Sequence, residues 1–395
     1  MNPKLASSPF EFQAFPPTLF GPGEAKRLPA LVCALGARSV LLVTDPGVRA
    51  SGVIDQVAGL LAAADIPVEV FDGIAPSPVP AQIEAGAERL RAIAADVGSL
   101  VVVVAIGGGS AIDSAKAIAL HAANTVSLRA LDYRNHIANP AFPIIAIPTT
   151  AGTGSETNSF AVITDHNSNT KFYVGDASCL PRTAILDPLL TLGLPKNATA
   201  ACGMDVLTHS LESLAAKHPT PYSDGLALQS IGMVARFLPV AIDDGADIEA
   251  RSQMLVAAHL AGHAFALTGL GLAHGIGHPL STRVGTSHGG GLAIVLEHVM
   301  RFNLSARADR YARAAFALGV GRSDAGDAIN AAAAIEAVAQ LSRRAGTAVT
   351  LRSVGVTEEL LPLIAQDALD DVVTQNNPTL PTHADVMAIL AAALD

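Results

Sequence analysis

The chain has 395 residues and a formal net charge of −10 at pH 7, and half of its residues are hydrophobic while only 15% are charged. So small a charged fraction excludes a disordered polyelectrolyte, and the acidic balance argues against a nucleic-acid-binding protein. No apolar stretch long enough for a membrane span is free of charges and prolines, and the N-terminus lacks a signal-peptide run. We expect a cytoplasmic globular protein without membrane or nucleic-acid partners, whose three scattered cysteines form no disulfide framework.

The first half of the chain alternates short apolar runs with amphipathic segments. Four of these runs are predicted as strands, at residues 39–44, 67–71, 99–106 and 143–147. The third is β-branched and apolar throughout, as expected of a central strand buried on both faces. The alternation predicts β-α-β units in a parallel, doubly wound sheet, with a hairpin over residues 160–165 and 171–175.

The strand signal ends after residue 188, and the rest of the chain is rich in alanine and leucine with helical periodicity. We predict an all-helical region of roughly eight helices, with breaks near residues 219–221, 245, 285–291 and 321–326. The predicted organisation is an α/β nucleotide-binding domain over residues 1–190 and a helical domain over residues 191–395.

A glycine-rich loop, GGGS at residues 107–110, follows the third predicted strand and opens a helix. Glycines let a backbone approach a phosphate closely, and a helix N-terminus offers free N–H groups to an anion. The loop is not the GxGxxG fingerprint, because the plausible ribose acid, Asp45, precedes it instead of following it. A tight structural turn explains the loop equally well, and Asp45 lies in TDPG, which is itself a good turn sequence.

A second loop, IPTTAGTGSET at residues 147–157, follows the fourth predicted strand and is rich in hydroxyl side chains and glycine. Ligands of open α/β sheets bind at the carboxyl ends of the strands, where this loop begins. The loop therefore strengthens the prediction of a polar ligand, although an ordinary turn rich in serine and threonine remains the alternative.

Histidines are concentrated in one part of the helical region, since six of the twelve lie within residues 259–298. His274 and His278 are four residues apart, as are Asp205 and His209, so each pair shares a helix face. A carboxylate with several imidazoles suits Fe(II) or Zn(II). We predict a divalent metal site from these residues and His288. The remaining histidines of the cluster are expected to support the metal ligands or to be structural, and they are His259, His263 and His298.

Four sequence blocks together resemble the iron-containing (group III) alcohol dehydrogenases. They are GGGSAIDSAK at 107–116, IPTTAGTGSET at 147–157, GMDVLTHSLE at 203–212, and GLAHGIGHPL with SHGG at 271–280 and 287–290. The resemblance covers nearly the whole chain. It implies a nucleotide-binding α/β domain, a helical metal domain and an active site between them, in an enzyme that usually forms a homodimer or a larger homo-oligomer.

The resemblance also implies roles for individual residues. It implies metal ligation by Asp205, His209, His274 and His288, with His278 beside the metal as the catalytic proton relay. It implies binding of a nicotinamide cofactor by Asp45 at the ribose, by Gly107, Gly108, Gly109 and Ser110 at the pyrophosphate, and by Thr149, Thr150 and Lys171. Because a carboxylate at the ribose would repel the 2′-phosphate of NADP, Asp45 predicts a preference for NAD.

Two departures from the family pattern bear on the substrate and on the last ligand. The chain has SHG at 287–289 where the family often has PHG, so the loop before His288 differs. Phe160 occupies a place that is polar in diol-reducing relatives, and with Phe265 and Val373 it predicts an apolar pocket for a small alcohol or aldehyde.

Two other classes of function remain open at this point. One is a lyase resembling dehydroquinate synthase, which would need a cationic pocket for an acidic phosphate substrate; the ligand-bearing segments are poor in lysine and arginine. The other is a non-catalytic NAD- or metal-binding protein, which would be expected to lack a ligand or the glycine loop. A metal-free reductase is disfavoured because all four ligand positions are filled.

Overall fold

The computed structural model describes residues 15–395. Its first half is built on a parallel six-stranded sheet of order β1-β8-β5-β4-β2-β3. The strands of this sheet are β1 (Thr18–Phe20), β2 (Ser39–Val43), β3 (Val68–Phe71), β4 (Val101–Gly107), β5 (Ile144–Pro148) and β8 (Thr183–Leu186). The remaining two strands, β6 (Phe160–Asp165) and β7 (Thr170–Gly175), form a separate antiparallel hairpin.

Helices cover both faces of the sheet, as the predicted doubly wound class requires. They are α1 (Leu28–Ala34), α2 (Pro46–Ala50), α3 (Val53–Ala62), α4 (Pro80–Val97) and α5 (Gly109–Ala123). On β2, Leu41 and Val43 pack into the core beneath α4 and α5, whereas Val40 and Leu42 pack into the core beneath α1 and α3. This burial on both faces explains why the central strands are continuously apolar.

The four predicted strands and the predicted hairpin are confirmed, with bounds shifted by one or two residues. The strands β1 and β8 were not predicted. They have only three and four residues, and prolines flank both, so neither shows a pattern that distinguishes a strand from a loop.

The second half of the chain is helical. Residues 191–395 contain the eight predicted α-helices, which are α6 (Lys196–Ala215), α7 (Pro221–Asp243), α8 (Ile248–Thr268), α9 (Leu272–Val284), α10 (His288–Ala317), α11 (Asp327–Ala345), α12 (Leu361–Asp370) and α13 (His383–Ala392). They share one aliphatic core. The predicted break over 285–291 is too long, because α10 already begins at His288 and includes the three glycines that follow.

One described helix, α7, is long and apolar enough to cross a membrane by length and composition alone. It packs against α6 and α8 in the shared core. Near its start, the buried carboxylate of Asp224 accepts hydrogen bonds from Arg310 and Arg313 of α10. These contacts are those of a core helix in a globular domain.

Candidate active site

A cleft lies between the two halves, at the carboxyl ends of the central strands. Its sheet side includes Gly109 and Ser110, which follow β4, and Thr153, which follows β5. Its helical side includes residues of α6, α8 and α9. The cavity has a volume of about 290 Å³ and is the place where the predicted cofactor loop and the predicted metal ligands face each other.

Three imidazole nitrogens surround one carboxylate oxygen in this cleft. Oδ1 of Asp205 lies 3.3 Å from Nε2 of His209, 3.7 Å from Nε2 of His274 and 3.8 Å from Nε2 of His288. Two ligands bound to one metal at about 2.0–2.2 Å with tetrahedral angles stand about 3.3–3.6 Å apart. The four predicted ligands are therefore brought together, the first three buried and His288 partly exposed.

Atoms at the centre of this group lack hydrogen-bond partners. Among the described residues, Oδ1 of Asp205 and Nε2 of His274 are fully buried and form no hydrogen bond. Such orphaned groups are costly unless something binds them. Asp205, His209 and His274 offer ligand atoms that all lie within 4.8 Å of one another. One carboxylate and several imidazoles are a donor set that Fe(II) and Zn(II) accept, so the residues present fit a divalent metal.

The electrostatics of the group follow from its carboxylates. Burial disfavours the charged imidazolium of His274, but Glu212 and Asp205 outweigh burial and raise the pKa of His274 to about 9. Burial alone would raise the pKa of Asp205, whereas the imidazoles of His209 and His274 hold it well below its usual value. Without a metal, Asp205 thus remains an anionic carboxylate and His274 carries an extra proton. A bound cation would displace that proton.

His278 lies beside this group, one helical turn after His274. Its ring stacks on that of His288 with centroids 5.6 Å apart, and its Nδ1 donates to Oδ2 of Asp371 at 2.6 Å. His278 also lines a second cavity of about 250 Å³, together with Lys171 and a set of aspartates. The imidazole therefore stands in the wall between the cleft and a polar chamber. Asp371 was not predicted, because 93 residues separate it from its partner.

The glycine loop packs against the threonine loop. A Cβ on Gly109 would stand 2.7 Å from Cγ2 of Thr153, and one on Gly108 would stand 3.3 Å from Thr150. Gly107 has φ +153° and would bring a Cβ to 2.7 Å from that of Ala111. The close approach of the two loops by itself requires small residues here. The helix α5 begins at Gly109 without a side-chain cap, which leaves its N-terminal end available to an anion.

The remaining predicted cofactor residues are placed near the loop, although not all of them line the cleft. Oδ1 of Asp45 accepts from the backbone N–H of Val48 at 3.0 Å and caps α2, while Oδ2 faces Gly107. The backbone N–H of Thr149 donates to the carbonyl of Gly107. Of the predicted cofactor residues, Gly109, Ser110 and Lys171 line the cleft, and the other five do not, namely Asp45, Gly107, Gly108, Thr149 and Thr150.

Lys171 projects from the hairpin into the cleft. Burial lowers the pKa of its ammonium to about 8, and the negative charges of Asp371 and Asp113 oppose that shift. A second lysine, Lys116, is fully buried and was not predicted as functional. Its Nζ donates to Oδ1 of Asn158 and to the carbonyl of Phe160, both at 2.8 Å, and so fixes the hairpin on α5. The sequence could have indicated its burial, because Lys116 lies among alanine and isoleucine residues of the predicted helix.

An aromatic and aliphatic wall completes the cleft. The three predicted pocket residues, Phe160, Phe265 and Val373, all line it. The Phe265 ring lies 4.7 Å from that of His209. The sequence did not indicate Tyr133 and Tyr173, whose ring centroids lie 6.2 and 5.9 Å from that of Phe160. Aromatic residues make up only 4% of the chain, so this cluster concentrates a scarce residue class at one site.

The histidines assigned to structural roles lie elsewhere. Nδ1 of His259 donates to Oε1 of the buried Glu156 at 2.8 Å, and its Nε2 lies 3.0 Å from Nε2 of His263 and 3.1 Å from Oγ1 of Thr18. This network ties α8 to the edge strand β1. Neither His259 nor His263 lines the cleft.

Comparisons with known proteins agree with this geometry. The models for iron-containing alcohol dehydrogenase and for the C-terminal part of that family match residues 16–188 and 199–394. The NAD-dependent methanol dehydrogenase of Bacillus methanolicus is 37% identical over 379 residues, which are 96% of this chain and 98% of that protein. The 1,3-propanediol dehydrogenase of Citrobacter freundii is 36% identical over 376 residues, which are 95% of this chain and 96% of that protein.

The crystal structure of a 1,3-propanediol oxidoreductase superposes with a TM-score of 0.92 at 34% identity and covers 98% of this chain and all of the other. Similarity over nearly the full length in sequence and in fold leaves no part of either half unmatched beyond the termini and the link between the halves. The chain belongs to the iron-containing alcohol dehydrogenase family and is an oxidoreductase of that family.

Proposed function

We propose that the chain oxidises a small, fairly apolar primary alcohol with NAD and reduces the corresponding aldehyde in the reverse direction. The observation that carries the proposal is the convergence of three imidazoles on Oδ1 of Asp205, in the same cleft that Gly109 and Ser110 line. A metal-binding group and a phosphate-binding loop that face one cavity are what a metal- and nicotinamide-dependent dehydrogenase requires.

Four side chains would hold the metal, namely Asp205, His209, His274 and His288. Both Fe(II) and Zn(II) accept one carboxylate and three imidazoles, and the family favours Fe(II). His288 is the most exposed of the four, so it would contribute the flexible side of the site. When bound, the metal supplies a Lewis acid for the alcohol oxygen and the dinucleotide supplies the hydride acceptor.

His278 would move the proton. Its Nδ1–H is committed to Asp371, which leaves Nε2 as the atom that can accept a proton. The carboxylate of Asp371 would then stabilise the imidazolium. Because His278 also lines the neighbouring polar cavity, a proton that it accepts has a way to solvent that does not cross the apolar part of the cleft.

The cofactor would lie along the carboxyl edge of the sheet. Gly107, Gly108, Gly109 and Ser110 would bind the pyrophosphate, and Thr149, Thr150 and Lys171 would make further contacts. Oδ2 of Asp45, which faces the glycine loop, would accept hydrogen bonds from the ribose hydroxyls. A phosphate at the 2′ position would bring a second negative charge to this carboxylate, so NAD is favoured over NADP.

The apolar wall supports the choice of substrate. Relatives at 35–37% identity have names that specify methanol, 1,3-propanediol or lactaldehyde, so identity at this level does not select one substrate. In this chain Phe160, Phe265 and Val373 line the cleft, and Tyr133 and Tyr173 extend the wall. Lys171 is the one lysine or arginine among the described residues that line the cleft, which disfavours an acidic phosphate substrate of a lyase.

The described residues of one chain are enough to form the cleft. Because members of the family usually form oligomers, we nevertheless propose a homodimer or a larger homo-oligomer in the cytoplasm. Light scattering coupled to gel filtration measures the mass directly. A mass equal to that of one chain at micromolar concentration would refute the oligomer without touching the catalytic proposal.

The direct test is reconstitution. The protein is stripped with a chelator, loaded separately with Fe(II) and Zn(II), and assayed for NADH formation with a panel of alcohols. We expect activity only after metal is added, and higher kcat/KM for butanol or benzyl alcohol than for glycerol or 1,3-propanediol. Absence of activity in every loaded form would refute the dehydrogenase, and a preference for polyols would refute the apolar pocket.

A further inference from the structure

Glu212 contacts the predicted metal ligand His274 in a way that no role assigned so far includes. It lies on α6, seven residues after Asp205 and three after His209, and its carboxylate is buried against the start of α9. Oε2 accepts a hydrogen bond from Nδ1 of His274 at 2.6 Å. Because a carboxylate only accepts, the Nδ1 position carries the proton, and Nε2 is the nitrogen left to a metal.

The same carboxylate also caps the helix that carries His274. The N-terminal residue before α9 is Gly271, which has no side chain to cap the helix. Glu212 supplies the cap from another helix, since Oε2 accepts from the N–H of Gly271 at 3.0 Å and Oε1 accepts from the N–H of Ala273 at 2.7 Å. A Cβ on Gly271 would stand 3.1 Å from Oε1, so glycine here makes room for the carboxylate.

A second side chain completes the cap without contacting the imidazole. Oδ1 of Asn377 accepts from the N–H of Leu272 at 3.3 Å and from Nδ2 of Asn303 at 3.0 Å. Asn377 thus stabilises the start of α9, and its side chain forms hydrogen bonds with Leu272, Asn303 and Thr379 but not with the ring of His274. Both residues cap α9, but only the carboxylate of Glu212 also accepts a hydrogen bond from the ring of the predicted ligand.

We propose that Glu212 is a positioning residue that fixes both the tautomer and the orientation of His274 and thereby sets the affinity of the metal site. The inference rests on the proposed function, because it assumes that Asp205, His209 and His274 bind the metal. Outer carboxylates of this kind typically change metal affinity about 10- to 100-fold. Glu212 links the ligands of α6 to the ligand of α9, so its removal disturbs the geometry between the two helices.

The test compares three variants of the full chain. Glu212→Gln has the same shape, but one of its two acceptor oxygens becomes an NH₂ group that only donates. It therefore cannot accept the hydrogen bonds of His274 and Gly271 at one oxygen and that of Ala273 at the other. Glu156→Gln makes the same change in the Glu156–His259 pair, which lies outside the cleft. Asn377→Ala removes the other cap of α9 while leaving the ring of His274 in place.

The dissociation constant for Zn(II) is measured for each variant by competition with a chromophoric chelator, and the visible spectrum is recorded with Co(II). We expect Glu212→Gln to bind Zn(II) roughly 10- to 100-fold more weakly and to change the Co(II) absorption, whereas the other two bind within about threefold of wild type. Circular dichroism and thermal unfolding establish that each variant is folded.

Two results would overturn the inference, and a third would refute the proposed function on which it rests. Wild-type affinity and spectrum in Glu212→Gln would overturn it while leaving the proposed function intact. Equal losses in Glu212→Gln and Asn377→Ala, in proportion to lost thermal stability, would reduce Glu212 to a helix cap. Failure of the wild type itself to bind metal would refute the proposed function, and so the two failures are distinguishable. If Glu212→Gln does not fold, Glu212→Asp, which keeps the charge, takes its place with the same expected weakening.

Discussion

Two groups of histidines in this chain share a sequence pattern but differ in what they can bind. One is the cluster of His209, His274 and His288 in the cleft, and the other is the pair of His259 and His263 on α8. In both, residues four apart share a helix face, and a buried glutamate accepts from Nδ1 of a histidine. The difference is what the opposite nitrogen meets. Nε2 of His274 lies unpaired near Oδ1 of Asp205, whereas Nε2 of His259 is already within hydrogen-bond distance of His263 and Thr18.

The charges of the two regions differ accordingly. Burial opposes a charged imidazole in both places, but two carboxylates face His274 and raise its pKa to about 9. His263 is buried against another imidazole, and its pKa is lowered to about 3. Spacing alone therefore does not make a metal site. A second carboxylate and lone pairs that nothing else uses are what separate the two clusters.

The comparison is tested most severely by removing one imidazole from each cluster. We expect His274→Ala to lose most of its bound metal and essentially all activity, because an open catalytic site has few ligands to spare. His259→Ala, matched in residue type and burial, should retain full metal stoichiometry. Elemental analysis of the two purified variants measures both. Equal metal content in the two variants would erase the distinction between the clusters.

Within the cleft, His274 is a predicted metal ligand and its neighbour His278 is a predicted proton relay. His278→Ala should keep the metal and lower turnover by about 10²–10⁴-fold, the usual contribution of a positioned acid or base. The pH profile of kcat should lose the limb that the imidazole contributes. Loss of metal from this variant would instead make His278 a ligand and remove the contrast with His274.

On the sheet side of the cleft, a substitution at Asp45 is expected to have a smaller effect. Asp45→Gly keeps an acceptable helix cap, so the change isolates the carboxylate. Repulsion between Asp45 and a 2′-phosphate is worth about 1–3 kcal/mol after screening, or roughly tenfold to a hundredfold in affinity. We expect wild type to prefer NADH over NADPH and the variant to lose that preference. An unchanged ratio of kcat/KM values would leave Asp45 as a turn residue only.

The α8 pair makes its own prediction about pH. Because the pKa of His263 is lowered in the folded chain, the unfolded chain binds a proton there that the folded chain does not. Stability is therefore lost as pH falls below the ordinary histidine pKa toward about 3, by up to about 1.4 kcal/mol per pH unit. The titratable groups that act on this imidazole are His259, whose ring it contacts, and Glu156 behind His259.

His263→Leu should reduce that slope by one proton while changing stability little at pH 7. Denaturant unfolding of the metal-stripped proteins at pH 7, 6 and 5 measures the difference. Parallel stability curves for wild type and variant would contradict a lowered pKa of His263, because the folded and unfolded chains would then bind that proton equally.

Residues close in sequence were predictable and residues joined only by folding were not. The strands of the sheet, the glycine loop and the pairs Asp205–His209 and His274–His278 follow from local patterns, since helical and strand periods place neighbours on one face. The partners Glu212 and Asp371 were not assigned to His274 and His278, because 62 and 93 residues separate them.

Periodicity indicates which residues share a helix face, but not which imidazoles from different helices come together. The resemblance to a known family predicted that second point. From spacing alone, His259 and His263 form as good a pair as Asp205 and His209 do. The short strands β1 and β8 were not predicted for a related reason: β1 is defined by its pairing with β8, and β8 by its pairing with β1 and β5, rather than by a pattern in their own residues.

The position of the metal itself is the central claim. A crystal of the Zn(II)-loaded protein, measured with X-rays above and below the zinc absorption edge, locates the ion by anomalous difference density. We predict one strong peak per chain, about 2.0–2.2 Å from Oδ1 of Asp205 and from the Nε2 atoms of His209, His274 and His288. A peak between His259 and His263 instead, or none in the cleft, would contradict the account.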